Sequence, residues 1–153
     1  MCIRDSNYPF PKPPSDLDVG LPDRIPDADY LHLLDEALAL AFENFTKENA
    51  AKLPPSLARV TSHESRVTGA QPDLIFYLAG ADPYREDQLG GLALTKEGLA
   101  QRDAMVLEAA RDRAIPIAVV LAGGYARRVE DTVQIHTNTI LTARACFTSP
   151  GRA

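Results

Sequence analysis

Tryptophan is absent from this chain, cysteine occurs twice and histidine three times, and each shortage removes a class of chemistry. Cys2 and Cys146 lie near opposite ends with no CxxC spacing, which argues against a cysteine zinc site and a disulfide framework and suits a reducing compartment. His32, His63 and His136 are never adjacent and never stand in an Asp-x-His pattern, so neither a histidine acid-base pair nor a ready histidine metal motif is present. Basic residues are not in excess: 16 Lys and Arg against 21 Asp and Glu give a net charge of -5, without a basic stripe. Direct nucleic-acid binding and attraction to an anionic membrane therefore lack support. No apolar run reaches transmembrane length and the N-terminus lacks the basic-then-apolar order of a secretory signal, so a cytoplasmic location is expected. Neither GxGxxG nor GxxxxGK[ST] occurs, which leaves no phosphate cradle.

The chain's 153 residues suit one domain with a real core. Met1 to Ser6 match neither a targeting peptide nor the proline-rich run that follows, and read as a non-native junction or a frayed terminus. Pro9, Pro11, Pro13 and Pro14 rule out a helix, leaving an extended connection with at most a short strand around Leu17-Asp18-Val19. Asp27 is placed to cap a helix in which Tyr30 or Leu31, Leu34, Leu38, Ala41 and Phe45 recur at helical spacing. Residues 47–71 break this order with Pro54-Pro55 and a polar Thr61-Ser62-His63-Glu64-Ser65 run, and read as a disordered insertion.

Two later segments carry the chemistry. Leu74-Ile75-Phe76-Tyr77-Leu78 runs into Ala79-Gly80-Ala81-Asp82-Pro83, and Ile117-Ala118-Val119-Val120-Leu121 runs into Ala122-Gly123-Gly124-Tyr125. Short apolar runs that each precede a helical pattern read as buried parallel strands, and ligands of open α/β sheets bind beyond the carboxyl ends of such strands. The helices are expected from a Thr95 cap to about Arg113, and from about Arg127 to Ala143, with a tail at 144–153. Asp82 and Tyr125 thus become candidates for one site, the first with an anionic oxygen for a metal, the second with a hydrogen-bond donor on backbone that can approach a substrate. Two strands are few for a sheet buried on both faces, so the chain reads as part of a larger α/β domain.

At these residues a resemblance emerges. Pro72 to Pro83, then Asp87-Gln88-Leu89-Gly90-Gly91-Leu92-Ala93-Leu94-Thr95, then Leu121-Ala122-Gly123-Gly124-Tyr125 together resemble the C-terminal part of the zinc-dependent histone deacetylase superfamily, nearest its class IV and bacterial deacetylase-like branch. Asn7-Tyr8-Pro9-Phe10 and Ser15-Asp16-Leu17-Asp18 resemble the stretch that precedes the Gly-Ala-Asp motif there. The resemblance implies a three-layer open parallel sheet with helices on both faces, as in arginase and the deacetylases, incomplete at its N-terminal side. It implies hydrolysis of an N-acyl amide of lysine or polyamine type at a zinc ion. Asp82 would be one of its ligands, Tyr125 the donor to the carbonyl oxygen, Leu89, Gly90 and Gly91 the substrate tunnel, and Gly123 and Gly124 the turn on the oxyanion side. The family's His-His pair and Asp-x-His motif have no counterpart in this chain, so the resemblance implies a fragment that is inactive alone and holds zinc poorly.

Plainer readings stand beside these. Asp82 before Pro83 also suits a turn, and Tyr125 suits a packed aromatic. His136 falls on the Val129, Val133, Ile140 stripe and reads as a core histidine, while His32 shares a polar face with Asp35, Glu36 and Glu43. Asp103 interrupts the Leu99, Val106, Ala110 stripe, which calls for a buried, paired carboxylate with Arg102 or a backbone amine as its partner. The alternative function is a non-catalytic α/β binding or regulatory module.

Overall fold

The computed structural model describes residues 2–4, 17–42 and 72–148. Strand β1 (Cys2–Arg4) pairs in parallel with β2 (Asp18–Gly20), so part of the segment expected as a junction takes up regular backbone. Helix α1 (Asp27–Phe42) follows, then β3 (Ile75–Gly80), α2 (Lys96–Asp112), β4 (Ile117–Ala122) and α3 (Val129–Thr148). The expected insertion at 47–71 lies outside the described residues. No helix among the described residues is long and apolar enough to cross a membrane.

Helix α1 buries Tyr30, Leu34, Ala37 and Leu38; Ala41 is exposed, so the buried stripe runs through Ala37 instead. Asp27, expected to cap this helix, is its first residue, and the bonds its carboxylate makes are to the start of another helix rather than to its own. Its carboxylate accepts the Thr95 N–H at 2.9 Å and the Thr95 hydroxyl at 2.5 Å. That hydroxyl in turn accepts the Gly98 N–H at 3.0 Å, the N-cap bond of α2. The starts of two helices far apart in sequence are thereby locked together, and the core closes between them on Leu34, Leu94, Leu99 and Val106.

β3 and β4 are parallel and in continuous register from Ile75 opposite Ile117 to Gly80 opposite Ala122, with α2 as the crossover between them. Their two faces differ. Tyr77 points toward α2, donating its hydroxyl to Asp103 Oδ1 at 2.5 Å, and Ala79 is fully buried. On the other face Phe76 is 67% exposed, Leu78 66% and Val120 43%. The expectation of strands buried on both faces is thus corrected: among the described residues only one face is covered, because α2 is the helix that packs on β3.

Helix α3 extends past Ala143 to Thr148, since no helix breaker intervenes before Pro150. It turns Asp131, Ile135 and Thr139 inward and packs on α2. The Val129, Val133, Ile140 stripe expected to face a core is instead 57–67% exposed, one hundred degrees or so around the helix from Ile135 and Thr139. Asp103 answers its expectation: Arg102 reaches its Oδ1 at 2.9 Å from Nε and 2.8 Å from Nη2, and the Thr139 hydroxyl donates to its Oδ2 at 2.6 Å.

Candidate active site

The parallel pair sets the site. Beyond the last ladder residues, the Ala81 N–H donates to the Ala122 carbonyl at 3.0 Å, so the two turns that leave β3 and β4 start side by side. Asp82 stands in the first turn and Tyr125 in the second. Asp82 is half-buried, and its carboxylate lies against Gly80 and Gly123. Gly123 has φ +62°, which strains any residue with a side chain, and a Cβ there would meet Asp82 Oδ1 at 2.5 Å and push that carboxylate aside. His136, from α3, brings Nε2 within 3.2 Å of the Gly123 carbonyl. Its Nδ1 is buried and has no hydrogen-bond partner among the described residues. His136 is therefore a neighbour of the Gly123 turn rather than a residue of the apolar core.

The loop between Asp82 and Thr95 is closed by its own backbone. Leu94 N–H donates to Pro83 O at 3.1 Å, Arg85 N–H donates to Leu94 O at 2.9 Å, and Leu94 itself is fully buried. Gly90 folds back onto this loop so tightly that a Cβ would overlap the Asp82 carbonyl. Leu89 and Tyr125 are each 61% exposed, and Gly91 is anchored through its carbonyl by the Arg24 N–H at 2.8 Å.

Asp87, which sequence reasoning passed over, connects these parts. Its Oδ1 accepts the Leu89 N–H at 2.9 Å and the Gly90 N–H at 2.8 Å, and its Oδ2 accepts the Tyr125 N–H at 2.5 Å. The signal available in the sequence was an aspartate two residues ahead of Leu89-Gly90, the spacing of an Asx turn. Its reach to Tyr125 was not legible. Underneath, Arg102 Nη1 donates to the Gly80 carbonyl at 2.7 Å, tying the end of β3 to the buried Asp103 network. Burial raises the Tyr77 phenol well above its ordinary range, with the Arg102 charge opposing and Asp103 adding to the rise. Tyr30 is raised for the same leading reason.

Chemically, Asp82 offers one carboxylate at the carboxyl end of β3, and Tyr125 an exposed phenol beside the same edge. No group of three or more His, Cys, Asp or Glu side chains able to hold a metal occurs among the described residues.

Against known sequences, the model of the histone deacetylase domain matches residues 58–140, which include β3, α2, β4, Asp82, Leu89 to Gly91 and Tyr125. The chain belongs to the histone deacetylase superfamily. Histone deacetylase 2 of Arabidopsis thaliana is 32% identical over 110 residues, 69% of this chain and 22% of that protein. An uncharacterized protein of Picosynechococcus sp. is 34% identical over 141 residues, 92% of this chain and 39% of that protein. The chain thus spans about two fifths or less of the length of these two relatives, and it is a partial chain of the superfamily. Its α/β alternation, with parallel strand pairs and three helices among the described residues, is compatible with a piece of a deacetylase domain.

Proposed function

We propose that this chain is the part of a zinc-dependent deacetylase that carries one metal ligand, Asp82, and the carbonyl-polarising phenol, Tyr125. The observation that carries the reading is the placement of these two residues on adjacent turns at the carboxyl ends of two in-register parallel strands, within the superfamily match. The substrate class is an N-acyl amide of a lysine or a polyamine. Leu89, Gly90 and Gly91 form one rim of the tunnel that takes its stem. The branch is the class IV and bacterial deacetylase-like one, the architecture is the three-layer arginase-like sheet, and the location is cytoplasmic. No nucleic acid or membrane contact takes part.

The residues fit a zinc ion in part: Asp82 supplies a hard oxygen in the space that Gly80 and Gly123 leave for it, and a catalytic zinc needs three protein ligands. The others belong to His-His and Asp-x-His motifs outside this sequence. When bound, zinc supplies Lewis acidity toward the amide carbonyl and an acidified water. Tyr125 acts at the carbonyl oxygen, donating its phenolic proton to a hydrogen bond that strengthens as negative charge develops; one such donor contributes on the order of 10²–10³ in rate. Gly123 and Gly124, the latter with φ +117°, let backbone pass close beneath that oxygen. Asp82 carries the metal charge and Tyr125 the developing oxyanion.

The test compares this chain with a version extended to the length of its relatives. Acetate release from an acetyl-lysine peptide is expected from the extended protein only. There Asp82→Ala should lose both zinc and turnover, whereas Tyr125→Phe should keep zinc and lose turnover by about 10²–10³. Full activity with full zinc in either variant overturns the assignment. An extended protein that binds no zinc and releases no acetate favours the non-catalytic module.

A further inference from the structure

We propose that Asp87 is a positioning residue that clasps the Tyr125 turn to the Leu89–Gly90 loop, so that the phenol and the tunnel rim move as one body. The inference rests on the reading of Tyr125 given above and adds a residue to it. The geometry divides the carboxylate cleanly. Oδ1 serves the local turn through the Leu89 and Gly90 N–H groups, and Oδ2 alone spans the 38 residues to the Tyr125 N–H. A carboxylate that merely closed an Asx turn would leave its second oxygen to water.

The other side of Tyr125 is held from the same strip of chain. The Gln88 backbone N–H donates to the Tyr125 carbonyl at 3.0 Å, Gln88 Nε2 donates to it at 3.1 Å, and the Arg127 N–H donates to the Glu86 carbonyl at 3.1 Å. The two backbone bonds make an antiparallel bridge of Asp87 with Ala126. Tyr125 is thus gripped at both its N–H and its C=O, while the residue is 61% exposed. The gripped backbone is what sets where the phenol points. Gly123 and Gly124 both have positive φ, and the hydrogen bond from Tyr125 N–H fixes the chain immediately after them. The same loop packs on the Asp82 carbonyl through Gly90, which makes the clasp a link between the two halves of the site.

Asp87→Asn isolates the long-range bond. The amide oxygen can keep the Leu89 and Gly90 N–H groups, but its NH₂ then faces the Tyr125 N–H, donor against donor. Two measurements test the proposal. First, amide hydrogen exchange in this chain and in the extended protein: Asp87→Asn should speed Tyr125 exchange about 10–100-fold while leaving Leu89 and Gly90 within about 3-fold, the loss of one charge-assisted bond. Second, in the extended protein, Asp87→Asn should lower kcat about 10–100-fold with zinc content unchanged and KM changed little. Added to Tyr125→Phe it should cause no further loss, because it acts through that residue. Unchanged Tyr125 exchange, or losses from the two substitutions that multiply, overturns the clasp. A fully active Tyr125→Phe protein overturns the functional reading instead, and the exchange result then decides the clasp by itself.

Discussion

The Arg102 guanidinium reaches out of the buried core to the Gly80 carbonyl, 2.7 Å away, while its other face holds Asp103. Arg102 and Asp103 are both almost wholly buried, so the pair joins the floor of the candidate site to the packing of α2 and α3. Truncating one member strands the other charge. Arg102→Ala is expected to lower stability by about 3–5 kcal/mol. Thr139→Val, which removes one bond to the Asp103 carboxylate, should cost about 1.5–3 kcal/mol. Urea unfolding followed by circular dichroism checks the order; equal, small effects would show that the network is not coupled to folding.

Alkaline stability follows from Tyr30 and Tyr77. Burial, the largest cause at each, raises both phenols above the ordinary value of about 10, so the folded state keeps their protons where the unfolded state releases them. Their contribution is complete below about pH 10 and is lost as pH rises through the raised folded values. Phenolate absorbance at high pH should therefore include a later step, from Tyr30 and Tyr77, coincident with unfolding. Tyr77→Phe should shrink the later step; a single early step for all tyrosines would refute this.

At the acid end the sign reverses. Lys96 donates to Asp131 Oδ1 at 2.6 Å, and that hydrogen bond holds the Asp131 carboxyl below its ordinary value. The stabilisation is present above the unfolded carboxylate pKa of about 4 and fades as pH falls through the lower folded one. Asp131→Asn should make the midpoint of thermal unfolding less sensitive to pH below 5. The check is a set of melts from pH 3 to 7 for both proteins, and parallel curves would count against the ion pair.

Gly123 is the glycine that the Asp82 carboxylate leans on. In Gly123→Ala the added Cβ meets Asp82 Oδ1 at 2.5 Å, and the residue must also hold φ +62°, which costs an L-residue about 1–2 kcal/mol. In the extended protein, zinc affinity measured by chelator competition should fall by tenfold or more. Unaltered affinity would place Asp82 outside the metal site.

The open sheet face gives the last expectation. Phe76 and Leu78 are exposed here, and surface substitutions commonly change stability by less than about 0.5 kcal/mol. Phe76→Ser should therefore leave the stability of this chain almost untouched and reduce its binding of a hydrophobic dye. In the extended protein, where the other half of the domain would cover that face, the same substitution should cost about 3–5 kcal/mol. Similar small losses in both would mean that the face stays open.

Sequence alone determined the parallel strand-helix-strand-helix order, the Thr95 cap, the buried and paired state of Asp103, and the membership of a superfamily, because each is written in local periodicity, turn chemistry or motif. It placed Asp82 and Tyr125 at the ends of neighbouring strands for the same reason. Tertiary structure decided what depends on distant partners. Asp27 serves Thr95, and Asp87 serves Tyr125 across 38 residues, since a carboxylate's second acceptor carries no local signature. The orientation of α3, with Ile135 inward and Val129 outward, and the single covered face of the β3–β4 pair were likewise settled by which elements pack on which. An apolar stripe states that burial is wanted, and only the fold supplies the surface that provides it.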